Sequence, residues 1–349
     1  MQAITVRPSR PGSAALSDIA EPAPSPGEAL VETLAIGICG TDREIIAGNY
    51  GEAPPGADRL VLGHESLGRV LTAPAGSGLA AGDLVVGIVR RPDPVPCSKC
   101  AVGEWDMCRN GRYTEHGIKG LNGFGARRFV APPQFLVKID PALGESGVLL
   151  EPASIIAKAW EHIERIGNRA HWAPRRLAVL GGGPVGLLAA WMGTERGLDV
   201  HVLDRVISGP KPDAVRAIGA TYHAGDVEGA CSDSDVIIEC TGASQLVLDA
   251  MRWTAPNGIT CLAGLSSGGR AIPMNVGALD RSMVLENDVV FGSVNANRRH
   301  YEAASRSLAA ADRGWLQRLI TRRVPLAEWS DALTPRSDDI KTVIEFSRV

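Results

Sequence analysis

Short apolar or alternating runs broken by Gly and Pro fill the first 140 residues or so, among them ALVETLAIGIC (29–39), SLGRVLTA (66–73) and DLVVGIVR (83–90). Side chains on a strand point alternately to its two faces, so runs of this length between turn residues predict strands and a compact, mainly β lobe. The pattern changes at Pro152. SIIAKAWEHIERI (154–166) has apolar residues at helical intervals and no internal Gly or Pro, which predicts a helix leading out of the lobe. Beyond it, RRLAVLGGGPVGLLAAWMGTERGLDVHVLDR (175–205) reads as strand, Gly-rich turn, helix and strand. The alternation continues through DVIIECTG (235–242), LVLDAMRWTA (246–255) and GITCLAGL (258–265), with DVVFGSV (288–294) as a candidate last strand. This rhythm predicts an α/β fold with a doubly wound parallel sheet of Rossmann type. The tail has a helical run, YEAASRSLAAADRGWLQRLI (301–320), and a strand-like KTVIEF (341–346). It is too short for a third domain and is expected to fold back onto the first lobe. The expected division is thus 1–160 with 297–349, against 161–296.

Length agrees with this division, because 349 residues exceed one ordinary core. A net charge of −3 with no Lys/Arg block disfavours nucleic acid or an anionic membrane as partner and favours small molecules. The N-terminus lacks the layout of a signal peptide, and no apolar run reaches the roughly 18 residues of a membrane span. A cytoplasmic location is the expectation. Seven cysteines without a secretion signal point to metal ligands and core thiols rather than disulfides.

Gly181, Gly183 and Gly186 form G-x-G-x-x-G at a strand-to-helix junction, with Pro184 and Val185 opening the helix. There the first glycine permits the tight turn, the second lets a pyrophosphate approach the backbone, and the third lets helix and strand pack closely. The free N–H groups of the helix N-terminus suit that anion. Asp204, about 20 residues on, is placed to accept hydrogen bonds from an adenosine ribose and to repel a 2′-phosphate, so NAD is preferred over NADP. Arg205 beside it could instead pair with that phosphate. Thr241, Gly242 and Leu265 follow strand C-termini, where open α/β sheets bind ligands, although plain turns read the same way.

In the β lobe, Cys39 lies in GICGTD and His64-Glu65 in LGHES. Thiolate, imidazole and carboxylate together suit a zinc ion with one position left open. Singly, each would read as an ordinary core side chain.

With these residues in view, the sequence resembles the zinc-containing medium-chain dehydrogenases, and within them the glucose dehydrogenase branch. The likeness runs through GICGTDREI, VLGHESLGRV, VRRP, EHGIKGLNGF, FLVKID, LLEPASI, VLGGGPVGLL and FGSVNANRRHYEAA. The resemblance implies a GroES-like catalytic lobe beside the Rossmann domain. It implies a catalytic zinc at Cys39 and His64, with Glu65 and Glu151 binding directly or through water. Thr41 would belong to the proton path, Glu115 would contact substrate hydroxyls, and Glu151 would serve both metal and substrate. Asn295 would lie beside nicotinamide and substrate. Read without the resemblance, Glu115 is a lone carboxylate in a polar loop, which is usually solvated.

Cys97, Cys100 and Cys108 match the family's structural-zinc lobe except that Pro94 stands where a first cysteine is usual. A fourth ligand from Asp93, Asp106, Glu115 or His116, or an empty site, are the alternatives. Cys231, Cys240 and Cys261 read as core thiols. The activity implied is oxidation of a sugar hydroxyl in a cleft between the lobes, aldose to lactone. A polyol, aminocyclitol or secondary-alcohol dehydrogenase shares every ligand. A metal-free enone or quinone reductase would not need Cys39 and His64 together, and a non-catalytic binding protein would need neither site. Dimers or tetramers built through the edge of the Rossmann sheet are expected.

Overall fold

The structure is a computed structural model and describes residues 1–266 and 271–347. It divides into one unit of Met1–Ser154 with Asn295–Val349 and a second of Ile155–Val294. The strand Ala29–Ile38 organises the first unit: it pairs antiparallel with Glu65–Thr72, Arg128–Ala131 and the tail strand Lys341–Glu345. Leu84–Gly87, Leu136–Lys138 and Ile320–Pro325 complete that seven-stranded sheet. Ile4, Val31, Ile36, Leu62, Phe124, Phe129 and Ile344 are buried in its core. A seven-residue helix, Gly40–Ile46, interrupts the β pattern directly after the central strand.

The second unit holds a six-stranded, all-parallel sheet in the spatial order Thr221–Ala224, Asp199–Asp204, Arg176–Leu180, Ser234–Glu239, Thr254–Leu262, Val289–Gly292. The strand order reverses on either side of Arg176–Leu180, and the Gly-rich turn follows that strand. This is the switch point at which doubly wound sheets bind ligands. Its central strands are wholly apolar at most positions because both faces are covered.

Two elements differ from the pattern-based reading. The tail run 301–320 is two helices, Arg298–Ala310 and Arg313–Leu319. Ala311 leaves the helix with an extended ψ of 152°, and Asp312 caps the second helix by accepting the Trp315 N–H at 2.7 Å. The apolar periodicity runs through the break because both helices bury the same kind of face. The run LVLDAMRWTA also divides, its helix ending at Ala250 and the next strand starting at Thr254. Among the described residues, no helix is long and apolar enough to cross a membrane.

Candidate active site

Cys39 is the N-cap of Gly40–Ile46. Its Sγ accepts the Thr41 N–H at 3.2 Å, while Asp42 three residues on accepts the Cys39 N–H at 3.0 Å. This reciprocal capping box fixes the thiol and buries the Asp42 carboxylate completely. The His64 imidazole lies between the two: Nε2 is 3.1 Å from Cys39 Sγ and Nδ1 is 3.4 Å from Asp42 Oδ1. Burial alone would drive protonated His64 down, yet the Cys39 and Asp42 charges hold its pKa well above the usual value. With Nδ1 directed at Asp42, Nε2 on the Cys39 side is the nitrogen left to bind a metal.

Glu65 completes the group. One ligand atom each from Cys39, His64 and Glu65 lies within 4.8 Å of the others, a donor set that fits zinc with a position to spare. Glu65 Oε2 also accepts Lys341 Nζ at 2.5 Å, and that ammonium, itself fully buried, lies 3.4 Å from the Ile38 carbonyl. Gly37 faces Glu65 across the sheet, where an added Cβ would come within 2.1 Å of Oε2. Glu151 is outside the 4.8 Å group but buried close to it. Burial raises its pKa to about 7, His64 opposing that rise and Glu65 adding to it. Thr41 is half-buried on the first helical turn.

Glu115 is buried rather than solvated, which corrects the lone-carboxylate reading. Its Oε1 accepts Arg90 Nε at 3.1 Å, Arg90 Nη2 at 3.0 Å and Asn295 Nδ2 at 2.7 Å. The Arg90 guanidinium lies 3.7 Å over the Tyr113 ring and also donates to the Asp106 carbonyl at 3.1 Å. Asn295 sits in the left-handed region at φ 61°, a conformation unusual for a residue with a side chain. Its Oδ1 accepts the Ala296 N–H at 2.8 Å, which anchors the amide towards Glu115.

In the second unit, Gly181 has φ +109°, and a Cβ on Gly186 would lie 1.8 Å from the Gly181 carbonyl oxygen, so only glycine fits there. A Cβ on Gly183, by contrast, meets nothing within 4 Å: the space above it is free for a ligand. Pro184 and Val185 open the helix Pro184–Glu195 behind it. A cavity of about 460 Å³ adjoins the turn, lined by residues that include Gly181, Asp204, Arg205, Lys211, Gly225 and Thr241. Thr241 and Gly242 are held by the buried Glu239 carboxylate, which accepts both their N–H groups. Leu265 is 79% exposed and lies beside Gly242, whose added Cβ would meet the Leu265 carbonyl.

Residues 25–141 match the alcohol dehydrogenase GroES-like domain and residues 144–346 the glucose dehydrogenase C-terminus. The chain is 39% identical to glucose 1-dehydrogenase 2 of Vulcanisaeta moutnovskia (strain 768-28) over 99% of both chains. The chain belongs to the glucose dehydrogenase family of zinc-dependent medium-chain dehydrogenases. It is an NAD(P)-dependent oxidoreductase acting on CH–OH groups. It is similar to the structure of Haloferax mediterranei glucose dehydrogenase in complex with NADP, Zn and gluconolactone, with a TM-score of 0.92, 36% identity and full coverage of both chains. Galactitol-1-phosphate dehydrogenase of Escherichia coli, at 21% identity and a TM-score of 0.80 over 99% of this chain and 100% of its own, shares the fold.

Against the four-cysteine lobe of this dehydrogenase family, Cys97, Cys100 and Cys108 bring their sulfurs within 4.8 Å of one another, with no fourth ligand among the described residues. Each of the four candidates is engaged elsewhere. Asp93 accepts from Val95 and Asn110, Asp106 from Asn297, Glu115 from Arg90, and His116 donates Nδ1–H to the Asn122 carbonyl. The half-buried Cys97 thiol, accepting the N–H groups of Arg109 and Cys100, is held down to about 6. Cys231 and Cys261 are fully buried and pushed up to about 12, and burial raises Cys240 as well.

Four residues of the two sites escaped the sequence reading: Asp42, Arg90, Lys341 and Lys211. Only Asp42 carried a local signal, the three-residue spacing of a capping box after Cys39.

Proposed function

We propose that this dehydrogenase oxidises the C1 hydroxyl of glucose, or of a closely similar aldose, to the lactone. The C1 hydride passes to the nicotinamide of NAD(P) and the hydroxyl proton to solvent. The observation that carries the reading is the joining, in one unit, of a Cys39–His64–Glu65 donor set to a buried Glu115 carboxylate poised by Arg90 and Asn295. A sugar presents several hydroxyls, and each left unpaired in a closed site costs about 1–3 kcal/mol, so a buried, pre-oriented acceptor suits a polyhydroxylated substrate better than a simple alcohol. The lactone in the Haloferax structure and the names of the relatives support the same substrate class.

Cys39, His64 and Glu65 would hold the zinc, with Glu151 close enough to bind through water; the metal supplies Lewis acidity that lowers the pKa of the substrate hydroxyl. Asp42 keeps His64 in its ligating tautomer. Thr41 Oγ1 takes the released proton towards solvent. Glu115 and Asn295 bind the remaining sugar hydroxyls and fix which carbon reacts. In the second unit, the Gly181–Gly186 turn takes the pyrophosphate and Asp204 the ribose, which favours NAD as acceptor. Cys97, Cys100 and Cys108 supply three thiolates for a second zinc, whose fourth ligand would come from solvent.

A panel of aldoses, polyols and simple alcohols, run with NAD and NADP and with zinc content measured on the same preparation, tests the proposal. Aldoses should lead, and Cys39→Ala or His64→Ala should abolish turnover while NADH still binds. A preference for polyols would assign the substrate differently, and full activity after exhaustive zinc removal would overturn the metal's role. Cytoplasmic fractionation and a homodimeric or tetrameric mass complete the proposal.

A further inference from the structure

The Asp204 carboxylate is not a free acceptor. Oδ1 accepts the N–H groups of Arg205 at 2.7 Å and Val206 at 3.2 Å, and Oδ2 accepts the Gly182 N–H at 2.8 Å and Lys211 Nζ at 3.3 Å. Lys211 is the second residue of the helix Pro210–Ala217, and its side chain is only 16% exposed. The loop between strand and helix is tied down by the Tyr222 hydroxyl, which donates to the Val206 carbonyl. The ammonium is therefore held on the wall of the dinucleotide cavity, which Gly225 and the exposed Arg205 also line.

An acidic residue at the end of the second strand normally excludes NADP because its charge faces the 2′-phosphate. Here that charge already has a cation of its own inside the cavity. We propose that Lys211 is the residue that decides cofactor choice: with Arg205 it forms a subsite for the 2′-phosphate of NADP, so that this chain accepts NADP despite Asp204. With NAD, Lys211 stays on Asp204 and the carboxylate receives the ribose hydroxyls. With NADP, the ammonium turns to the phosphate, for which a compact, rotatable cation within reach is sufficient. The inference rests on the dinucleotide-binding reading of the second unit and is separable from the sugar assignment.

The test is direct titration of NADH and NADPH, followed by nicotinamide fluorescence, on the wild-type protein and on Lys211→Ala and Lys211→Arg, with no substrate present. Loss of one charge-assisted contact should weaken NADPH about tenfold or more in Lys211→Ala. NADH should change less than about twofold, and Lys211→Arg should restore most of the NADPH affinity. Equal loss for both dinucleotides, or none for either, overturns the role of Lys211. A wild-type protein that binds NADH but not NADPH overturns the subsite alone, and one that binds neither overturns the dinucleotide reading with it.

Discussion

Two buried ion contacts behind the candidate metal site are where single residues matter most. Asp42 is completely buried, and it is the only group facing His64 Nδ1 in the described contacts. Partners of this kind orient a ligating imidazole and raise its basicity. Asp42→Asn should lower zinc affinity about 10- to 100-fold, measured by competition with a chelator, with the fold kept as judged by circular dichroism. Lys341 and Glu65 pose a different problem, because both are buried and neither can be removed alone without stranding the other's charge. In metal-stripped protein, Lys341→Met should destabilise by about 3–5 kcal/mol in urea unfolding. The double variant Lys341→Met with Glu65→Gln should recover most of that loss; equal instability of single and double variants would show that packing, not charge, sets the effect.

At the scale of elements, short turns attached to long strands do the positioning. Gly40–Ile46 would be marginal as an isolated helix. It is held because Ala29–Ile38 delivers Cys39 as its cap and Ile45 is buried in the β core. The Gly-rich turn after Arg176–Leu180 depends on Gly186, whose helix approaches the turn too closely for any side chain. Gly186→Ala should displace the turn and weaken NADH binding more than tenfold. Zinc binding, whose proposed ligands all belong to the other unit, should stay at its wild-type stoichiometry. Loss of zinc in that variant would mean that the two units do not fold independently of one another.

For the whole molecule, the Rossmann sheet ends in an open edge strand, Val289–Gly292, flanked by the helix Val276–Glu286 on which no residue is buried and Val276, Val284 and Leu285 are exposed. An apolar helix and an unpaired edge together invite a second copy. Light scattering should give a dimer or tetramer, and Val290→Lys should shift the mass to that of a monomer; an unchanged mass would place the interface elsewhere. The sequence by itself determined the βαβ order and the glycine turn, because each is written in neighbours a few residues apart and depends only on backbone sterics and periodicity. It could also show that Cys39, His64 and Glu65 suit one metal, through donor chemistry. Only the tertiary structure decided that Lys341 neutralises Glu65, that Arg90 and Asn295 bury Glu115, and that the three thiols find no fourth protein ligand among the described residues. Those outcomes join residues far apart in the chain, and whether a charge is buried, paired or solvated is set by what the fold packs against it.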